Sequence, residues 1–474
     1  MLRARSGAVR GLAGAALALA MALAGPAPRA AAAEDPYWAS SGAWGQDGRD
    51  QWALAHVGWS PELAARARAP VTVAIVDTGL DYHHPDLRAD ALLSNEREIL
   101  NGVDDDANGY VDDLVGWSFV DGTPNPWDQA GHGTIVAGIL AAATGNGEGI
   151  AGMHPRVRIL PLRALHFAGR GRSSAVAEAV YYAVSRGARV VNLSLGGESI
   201  SIAERRAIEY AERKGVLVVV AAGNEGRDVA GLGPASLPNV LTVGASTPAD
   251  EPASFSNFGA RLDLLAPGVD VLSLRARRTD VPLVAGLAGY APGSSFVGPG
   301  ARYARVSGTS FAAPFVSGAA ALLLSARPEL TAAEVRRMLL QSARDVGTPG
   351  VDPRSGYGVL DLRAAMDADP RLFVEARIDG VSVDASGGAP VVKVSGTLDA
   401  SDFAEGFLEL GPGAAPASWK RVGAPVARPV RGGVLGEIPG AELAGEKTWT
   451  VRARARHASG REREGRFQLV LGGS

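Results

Sequence analysis

A long uncharged segment near residue 310 constrains this chain more than any other feature. It runs from Val306 to Leu324, contains only Ala, Gly, Ser, Thr, Val, Phe, Pro and Leu, and therefore has no charged residue. A helix that is apolar on every face must be buried in a large domain or in a membrane. This segment is too short to span a bilayer and is interrupted by Ser317 and Gly318. It therefore predicts a buried core helix.

Ser310 is expected at the N-terminus of that helix. Pro314 suits only the start of a helix, because proline lacks a backbone N–H. Free N–H groups and the helix dipole favour a developing anion at this end. Ser310 could simply cap the helix, which is the commoner role of a lone serine. The small neighbours Gly308 and Ala312 leave room for a ligand and favour a nucleophile, which needs a base and an orienting acid elsewhere.

Composition narrows the function classes. A chain of 474 residues with 46% hydrophobic residues is long enough for two or three domains. It contains no cysteine, which excludes disulfides, thiolate metal sites and cysteine nucleophiles. Its net charge of −3 and pI near 6.2 give no electrostatic argument for nucleic acid or anionic membranes. We expect no nucleic-acid partner.

Residues 1–33 are predicted to be a signal peptide. Arg3, Arg5 and Arg10 form a basic start, an apolar run covers 11–24, and alanines at 30–33 offer cleavage positions. Nothing later is hydrophobic for long enough to span a bilayer, so no membrane span is expected. We expect a secreted or periplasmic protein.

The next part of the chain predicts an α/β fold. Residues 34–70 are interpreted as an irregular arm on the domain surface with a short helix near Leu63. Strands are predicted at 71–76, 157–162, 190–195, 216–220 and 239–245, alternating with helices at 134–143, 174–186 and from Ser201 onward. Continuous apolar strands that alternate with helices indicate a doubly wound, mostly parallel sheet covered on both faces. Two further helices, at 331–343 and from Asp361, complete a domain covering residues 71–369.

Residues 370–474 change character and predict a β-sandwich. Six short strand-like runs are separated by Gly, Pro and Asp, at 372–383, 390–398, 407–410, 433–438, 448–455 and 467–471. In Trp449–Arg456 apolar and basic residues alternate, which indicates one buried and one solvated face. An anionic ligand for the arginine row is the alternative interpretation.

Two further segments meet the needs of Ser310. Asp77 follows a buried strand, so its carboxylate lies at the carboxyl end of that strand. His132 lies between Gly131 and Gly133 at the start of a helix. Each residue alone has a structural interpretation as a cap or its neighbour. A serine, a base and an orienting acid together form the set that nucleophilic catalysis requires.

The segments that carry these residues resemble the subtilisin-like serine peptidases in sequence and order. They are Val73–Gly79, Gly131–Gly138, Asn192–Gly196, Ala221–Asn224 and Ser307–Pro314. The resemblance covers about residues 35–368. It implies a subtilisin-like fold and a peptidase that hydrolyses polypeptides, and we expect it to act as a monomer.

The resemblance also assigns roles to residues. It implies that Ser310 is the nucleophile, His132 the general base and acid, Asp77 the orienting carboxylate and Asn224 the oxyanion-hole amide. The substrate-binding edges would be Ser194, Leu195, Gly196, Gly197, Ala222 and Gly223, and Leu232 would narrow the side-chain pocket. The sequence departs from the family at Phe311, where methionine is usual, and at Phe315, where histidine is usual. These changes affect packing rather than the reacting groups.

An acidic segment at 104–113 predicts a calcium site. Oxygen ligands at alternate positions, with Gly109 to turn the chain, resemble the start of an EF-hand-type loop. The predicted ligands are Asp104, Asp106, Asn108, the Tyr110 carbonyl, and Asp112 or Asp113. Five carboxylates within ten residues would repel one another without a cation. The alternative is a solvated acidic turn.

Two other functions are kept open. One is a catalytically inactive protein that keeps the fold for binding, such as an adhesin. The other is a processing protease specific for one partner protein, with the C-terminal module docking that partner. The sequence predicts an exported endopeptidase in preference to both.

Overall fold

The computed structural model describes residues 34–277, 279, 295–386 and 389–471. The predicted signal peptide at 1–33 lies outside the described residues. Nine α-helices occur in the part of the chain described. They are α1 Pro36–Ala39, α2 Trp52–His56, α3 Pro61–Ala64, α4 His132–Ala141, α5 Ser173–Ser185, α6 Ile202–Arg213, α7 Thr309–Ala326, α8 Ala332–Ser342 and α9 Leu362–Asp367.

A seven-stranded parallel sheet forms the centre of the molecule, as the sequence predicted. Its order is β2-β3-β1-β4-β5-β6-β7. The bounds are β1 Val71–Asp77, β2 Trp117–Ser118, β3 Val157–Arg163, β4 Val190–Leu193, β5 Leu217–Ala221, β6 Leu241–Ser246 and β7 Leu264–Pro267. The chain builds the sheet outward from β1, first on one side and then on the other. Sites in such sheets lie at the carboxyl ends of the strands near this reversal.

Helix α7 is the buried core helix that the uncharged segment predicted. The sequence predicted no segment long enough to span a bilayer, but among the described residues this one helix is long and apolar enough to do so. In the folded protein 89% of that length is buried. It packs against α4 and against several central strands of the sheet. Gly318 allows the close approach to α4, because a Cβ there would lie 3.3 Å from the Leu140 side chain of that helix and 2.8 Å from the Cβ of Met153.

The arm at 34–70 differs from the prediction of an irregular surface segment. It forms α1, α2 and α3, and the last of these confirms the predicted short helix. Leu54 and Trp59 are only 2% and 3% exposed and belong to the same core as α7. The Trp59 indole donates a hydrogen bond to the Met153 carbonyl at 2.8 Å. Burial of these large apolar groups makes the arm part of the core rather than a cover on it.

A smaller antiparallel sheet lies beside the first, in the order β8-β10-β9. Its strands are β8 Val271–Leu274, β9 Phe296–Val297 and β10 Tyr303–Val306. The strand β10 leads directly into α7. The sequence analysis missed these strands and also β2 and β7, because runs of two to four residues carry little periodicity.

The C-terminal part folds into two antiparallel sheets, ordered β11-β12-β15 and β14-β13-β16-β17. The strands are β11 Val374–Asp384, β12 Val391–Ala400, β13 Phe403–Pro412, β14 Lys420–Val426, β15 Val430–Pro439, β16 Thr448–His457 and β17 Glu462–Val470. Apolar residues of both sheets form one shared core. The polar strand β14 was not among the predicted runs. The predicted boundary at residues 369 and 370 falls in the link between α9 and β11.

The arginine row of β16 forms a solvated ladder of ion pairs. Arg452 pairs with Glu409 at 2.5 Å, and Arg456 pairs with Glu405 at 2.7 Å. Arg454 pairs with Glu462. On the opposite face Val451, Ala453 and Ala455 are fully buried. Because glutamates on neighbouring strands already neutralise these arginines, the geometry favours the solvated-face interpretation over an anionic ligand.

Candidate active site

Asp77 and His132 meet at the carboxyl end of β1. Asp77 is the last residue of that strand and is fully buried. His132 is the first residue of α4, and its Nδ1 lies 2.8 Å from Asp77 Oδ1 and 3.0 Å from Oδ2. Gly133 allows α4 to approach the strand, since a Cβ there would lie 2.2 Å from the Gly79 carbonyl oxygen. This contact fixes the ring and leaves Nε2 as its other polar atom.

A second buried carboxylate, Asp128, holds the turn in front of His132. Its Oδ1 accepts hydrogen bonds from the backbone N–H groups of Ala130 and Gly131, at 2.9 and 2.7 Å. Its Oδ2 accepts from the backbone and the hydroxyl of Thr134, at 2.9 and 2.6 Å. The Thr78 hydroxyl donates to Oδ1 at 2.9 Å and links this turn to the residue after Asp77. The sequence analysis missed Asp128.

The pKa of His132 lies above its usual value of about 6.5. Burial lowers this pKa, because it disfavours the charged ring. The charge of Asp77, its hydrogen bond and the charge of Asp128 act in the opposite direction and outweigh burial. The side chain remains 31% exposed. The surroundings therefore favour the protonated imidazolium more than water does.

Ser310 lies in the first turn of α7, where backbone N–H groups have no partner within the helix. Its hydroxyl donates to the Ser194 carbonyl at 3.3 Å. Pro314 lacks the N–H that would otherwise bond the Ser310 carbonyl four residues earlier. The Ser194 hydroxyl donates to that carbonyl instead, at 2.7 Å. The proline therefore does not leave an unsatisfied group, and Ser194 anchors the turn that carries Ser310.

Behind Ser194, a buried hydrogen-bond chain joins β4 to α7. Asn192 Nδ2 donates to the Ser194 hydroxyl at 2.9 Å, and the Ser317 hydroxyl donates to Asn192 Oδ1 at 2.8 Å. The polar residue Ser317 within the uncharged segment thus has a structural role. Its bond fixes the position of α7 along its axis relative to the end of β4.

Asn224 lies just beyond β5, with its side-chain orientation set by α7. Its Oδ1 accepts from the Thr309 backbone N–H at 2.8 Å and from the Thr309 hydroxyl at 3.0 Å. The Thr309 hydroxyl also accepts from the Gly223 backbone N–H at 3.0 Å. The amide nitrogen Nδ2 lies near Gly308, because a Cβ placed there would be 3.6 Å from it.

A cavity of about 160 Å³ opens beside Ser310 and Asn224. Five of the predicted substrate residues line it, and they are Leu195, Gly196, Gly197, Ala222 and Gly223. Ser194 lies behind this wall and is 3% exposed. Leu232 lines the cavity as expected, and Gly197 pairs with Gly233 through N–H to carbonyl distances of 2.6 and 3.1 Å.

Polar residues that the sequence analysis did not select also line this cavity. The Glu225 carboxylate accepts a hydrogen bond from Asn257 Nδ2 at 2.8 Å, and Arg227 pairs with Glu198 at 2.7 Å. Glu225 directly follows Asn224, so its position near the cavity could have been predicted from the sequence. Asn257 is distant in sequence and belongs to no motif that would have identified it.

The two phenylalanines that depart from the family pattern are buried packing residues. The Phe311 ring lies 5.2 Å from the His132 ring, and Phe311 is 3% exposed. Phe315 is 2% exposed within the core of α7. Phe311 thus covers one side of the imidazole and excludes water from it.

The acidic loop brings two of the predicted calcium ligands together and adds a third carboxylate. Oxygens of Glu98, Asp104 and Asp106 all lie within 4.8 Å of one another. Glu98 Oε1 also accepts from the Asp106 backbone N–H at 3.0 Å. Asn108 Oδ1 accepts from the Tyr110 backbone N–H at 2.7 Å. Glu98 precedes the predicted loop, so the spacing of the loop did not identify it.

The last two aspartates of the loop are directed elsewhere. Asp112 Oδ1 accepts from the backbone N–H groups of Asn101 and Gly102, at 3.0 and 3.1 Å. Asp113 is fully buried and pairs with Arg186 at 3.0 Å. Carboxylate oxygens for a cation therefore come from Glu98, Asp104 and Asp106 in this geometry.

The sequence of this chain is similar to those of known proteins. Residues 68–358 match the subtilase family, peptidase S8. The chain is 40% identical over 279 residues to a thermophilic serine proteinase of Bacillus sp. strain AK1, covering 59% of this chain and 57% of that protein. It is 34% identical over 301 residues to subtilisin DY of Bacillus licheniformis, covering 63% of this chain and 91% of that protein.

A solved structure supports the fold. The crystal structure of a lanthipeptide protease has a TM-score of 0.53 and 28% identity, and the match covers 66% of this chain and 93% of that chain. Some relatives are much longer, since the chain spans only 57% of the thermophilic proteinase and 32% of the cell wall-associated protease of Bacillus subtilis strain 168. The matched region contains Asp77, His132, Asn224 and Ser310, and it extends over more than half of the sequence. The chain therefore belongs to the subtilase family of serine peptidases.

Proposed function

We propose that this chain is a serine endopeptidase in which Asp77, His132 and Ser310 form the catalytic triad. The observation that carries the proposal is the contact of His132 Nδ1 with the buried Asp77 at 2.8 Å, at the same sheet edge as Ser310. A buried carboxylate on Nδ1 fixes the tautomer whose Nε2 can accept a proton. Family membership makes peptide-bond hydrolysis the reaction that this geometry fits best.

The proposed reaction proceeds through an acyl-enzyme. The Ser310 hydroxyl rotates from the Ser194 carbonyl to His132, its oxygen attacks the scissile carbonyl carbon, and its proton passes to Nε2. The imidazolium then gives that proton to the leaving amine as the peptide bond breaks. Water repeats the sequence on the ester and releases the acid. Asp77 orients the ring and stabilises the imidazolium.

The Asn224 amide and the Ser310 backbone N–H are proposed to form the oxyanion hole. The two hydrogen bonds from Thr309 to Asn224 Oδ1 hold the amide in advance of the reaction. A preorganised donor of this kind stabilises the charge that develops in the transition state. Removal of one such donor in subtilisin costs on the order of 100- to 1000-fold in rate.

Polypeptides are the proposed substrates. Small residues line much of the cavity, among them Gly196, Gly197, Ala222 and Gly223, so an extended peptide can approach its wall without large side chains intervening. Recognition through the main chain tolerates many sequences. This supports a general endopeptidase over a processing protease that acts on one partner.

Calcium is the proposed structural ion, held by Glu98, Asp104 and Asp106. These residues provide hard oxygen donors close enough to share one ion, which is the ligand chemistry that calcium prefers. The ion would offset the repulsion among their carboxylates and stabilise the loop. We also propose that the signal peptide at residues 1–33 directs export to the periplasm or the exterior, and that the C-terminal sheets form an Ig-like or fibronectin-III-like sandwich.

A fluorophosphonate probe tests the central proposal. It should label the protein at Ser310 and block peptide hydrolysis, because such probes trap an activated serine. The Ser310→Ala variant should fold normally, show no labelling and lose nearly all turnover. Exposed Ser459→Ala is the matched control and should behave like the parent. A folded protein that is neither labelled nor active would instead support the inactive binding protein, and full activity of Ser310→Ala would exclude Ser310 as the nucleophile.

A further inference from the structure

A cavity of about 720 Å³ lies between the peptidase part and the C-terminal sheets. We name it the lateral groove. One wall is formed by Ala230, Gly231 and Ser236 of the peptidase part, and the opposite wall by residues 379–381 of β11 and 466–468 of β17. Its volume lies within the range of ligand-binding clefts. The proposed triad does not use it.

The strand β17 presents a backbone edge to this groove. It is the last strand of its sheet, after β16. The Val351 N–H donates to the Glu464 carbonyl at 2.8 Å, and the Arg466 N–H donates to the Val351 carbonyl at 2.7 Å. Every second residue of an edge strand directs its backbone N–H and carbonyl away from the neighbouring strand. Glu464 and Arg466 do so in β17, so Gln468 is the next residue whose N–H and carbonyl point away from β16. Gln468 lines the groove and is exposed.

The side chains around this edge suit an extended polypeptide. Phe258, Phe467 and Val381 supply apolar surface. The charged residues that line the groove balance, with three acids and three arginines. They are Asp228, Asp352, Asp379, Arg261, Arg354 and Arg466. A groove with no net charge and an open strand edge recognises the main chain of a peptide rather than one charged group.

The lateral groove and the substrate cavity are lined by different residues of one shared loop. Leu232, Gly233 and Ala235 of this loop line the 160 Å³ cavity beside Ser310. Ala230, Gly231 and Ser236 of the same loop line the lateral groove. A polypeptide long enough to pass around the loop can therefore contact both sites.

We propose that the lateral groove binds a second, extended segment of the polypeptide substrate, which adds as a strand to β17 at Gln468. This inference rests on the proposed function, since the occupant is its substrate. Binding of two segments of one chain makes the second contact intramolecular and raises the overall affinity. Long unfolded polypeptides therefore bind more tightly than short peptides that fill only the cleft.

The test uses full-length protein and separates binding from hydrolysis. In the Ser310→Ala background, the dissociation constant for a reduced and alkylated, permanently unfolded polypeptide is measured. Gln468→Pro removes the outward N–H without removing a bond to β16, so the strand should tolerate it. It should weaken binding about tenfold, the order expected for one lost hydrogen bond. Gln468→Ala keeps the N–H and should bind like the parent.

A second variant approaches the groove from its other wall. Ala230 is exposed, and Ala230→Trp would fill the groove without changing β17. It should also weaken polypeptide binding about tenfold, because the second contact of the chain is lost. Hydrolysis of a short fluorogenic peptide by Ala230→Trp enzyme that retains Ser310 should stay unchanged. Unchanged polypeptide binding in both folded variants would overturn the proposal, and so would an equal loss on the short peptide. Failure of the proposed function would give a different result. The parent protein would then bind the polypeptide but hydrolyse no peptide.

Discussion

Asp128 holds the turn that carries His132, because four donor residues converge on its carboxylate. We predict that Asp128→Asn lowers kcat by about 10- to 100-fold, since small displacements of a catalytic group have effects of this size. The charge of Asp128 also raises the pKa of His132. The variant should therefore shift the acidic limb of the pH profile to lower pH, which a merely structural change would not do. Asp47→Asn is the control, because Asp47 is exposed and lies outside this turn.

The pH dependence of activity follows from His132. As the proposed base, the ring must be neutral, and its pKa is raised above about 6.5 by Asp77 and Asp128. Activity should therefore be full only above this raised pKa and should fall as pH drops through it, by about tenfold per unit at lower pH. Measurement of kcat/KM for a short peptide from pH 4 to 10 checks this. A flat profile down to pH 4 would exclude His132 as the base.

At the residue scale, the proposed reacting groups were easier to select from the sequence than the groups that support them. Asp77, His132 and Ser310 stand in short, distinctive segments with glycine neighbours. Asp128 and Glu98 are ordinary acids in loops, and their partners become apparent only after folding brings those loops together. Asn192 lies within a matched segment, yet its bond to Ser317 joins residues 125 positions apart. Such pairs leave no local pattern in a single sequence.

Among the elements, α7 was predictable because its composition excludes almost any other environment. The short strands β2, β7, β8 and β9 were not, because two to four residues give too few positions to establish a period. The prediction that the arm lies on the surface was wrong, because its apolar residues are interspersed with Gly, Ser and Ala and form no clear apolar run. Its burial depends on the space that α7 and the residues around Met153 leave open.

The acidic loop yields a prediction for calcium at the scale of an element. If Glu98, Asp104 and Asp106 hold the ion, binding stabilises only the folded loop. Apparent stability should rise with the logarithm of free calcium, by about 2.7 kcal/mol at 100-fold saturation. Thermal melts with calcium and with a chelator check this. Asp104→Ala combined with Asp106→Ala should abolish the response while fluorophosphonate labelling persists at low temperature.

The control for this experiment changes the same charge elsewhere. Asp47→Ala combined with Glu251→Ala alters two exposed acids outside the loop and should leave the calcium response intact. Glu98→Gln should weaken the calcium response if Glu98 is a ligand, as the geometry of the loop indicates. The ligand set predicted from the spacing of the sequence does not include Glu98, so it predicts no such effect. A normal calcium response in the loop double variant would leave the loop as a solvated acidic turn.

In the whole molecule, the C-terminal sheets pack against the last part of the peptidase fold. The contact is made by Val351 with β17 and by Gln341, whose carbonyl accepts from Arg463 at 3.2 Å. Tyr357 is buried nearby, with Arg463 stacked 5.1 Å from its ring. This contact stabilises the last part of the peptidase fold, but it adds no residue to the proposed site. The sheets should therefore affect stability and substrate choice rather than the chemical step.

A chain that ends at Pro370 tests this division of roles. Every residue of the proposed triad, oxyanion hole and cleft precedes that point, so hydrolysis of short peptides should persist. The melting temperature should fall, because Val351 and Tyr357 lose the surface that covers them. The KM for a long unfolded polypeptide should rise by about tenfold or more, since the truncation removes β11 and β17 and with them one wall of the lateral groove. Steady-state kinetics on both substrates, with thermal melts, measure the three effects. Loss of short-peptide turnover in a folded truncation would mean instead that the C-terminal sheets complete the catalytic site.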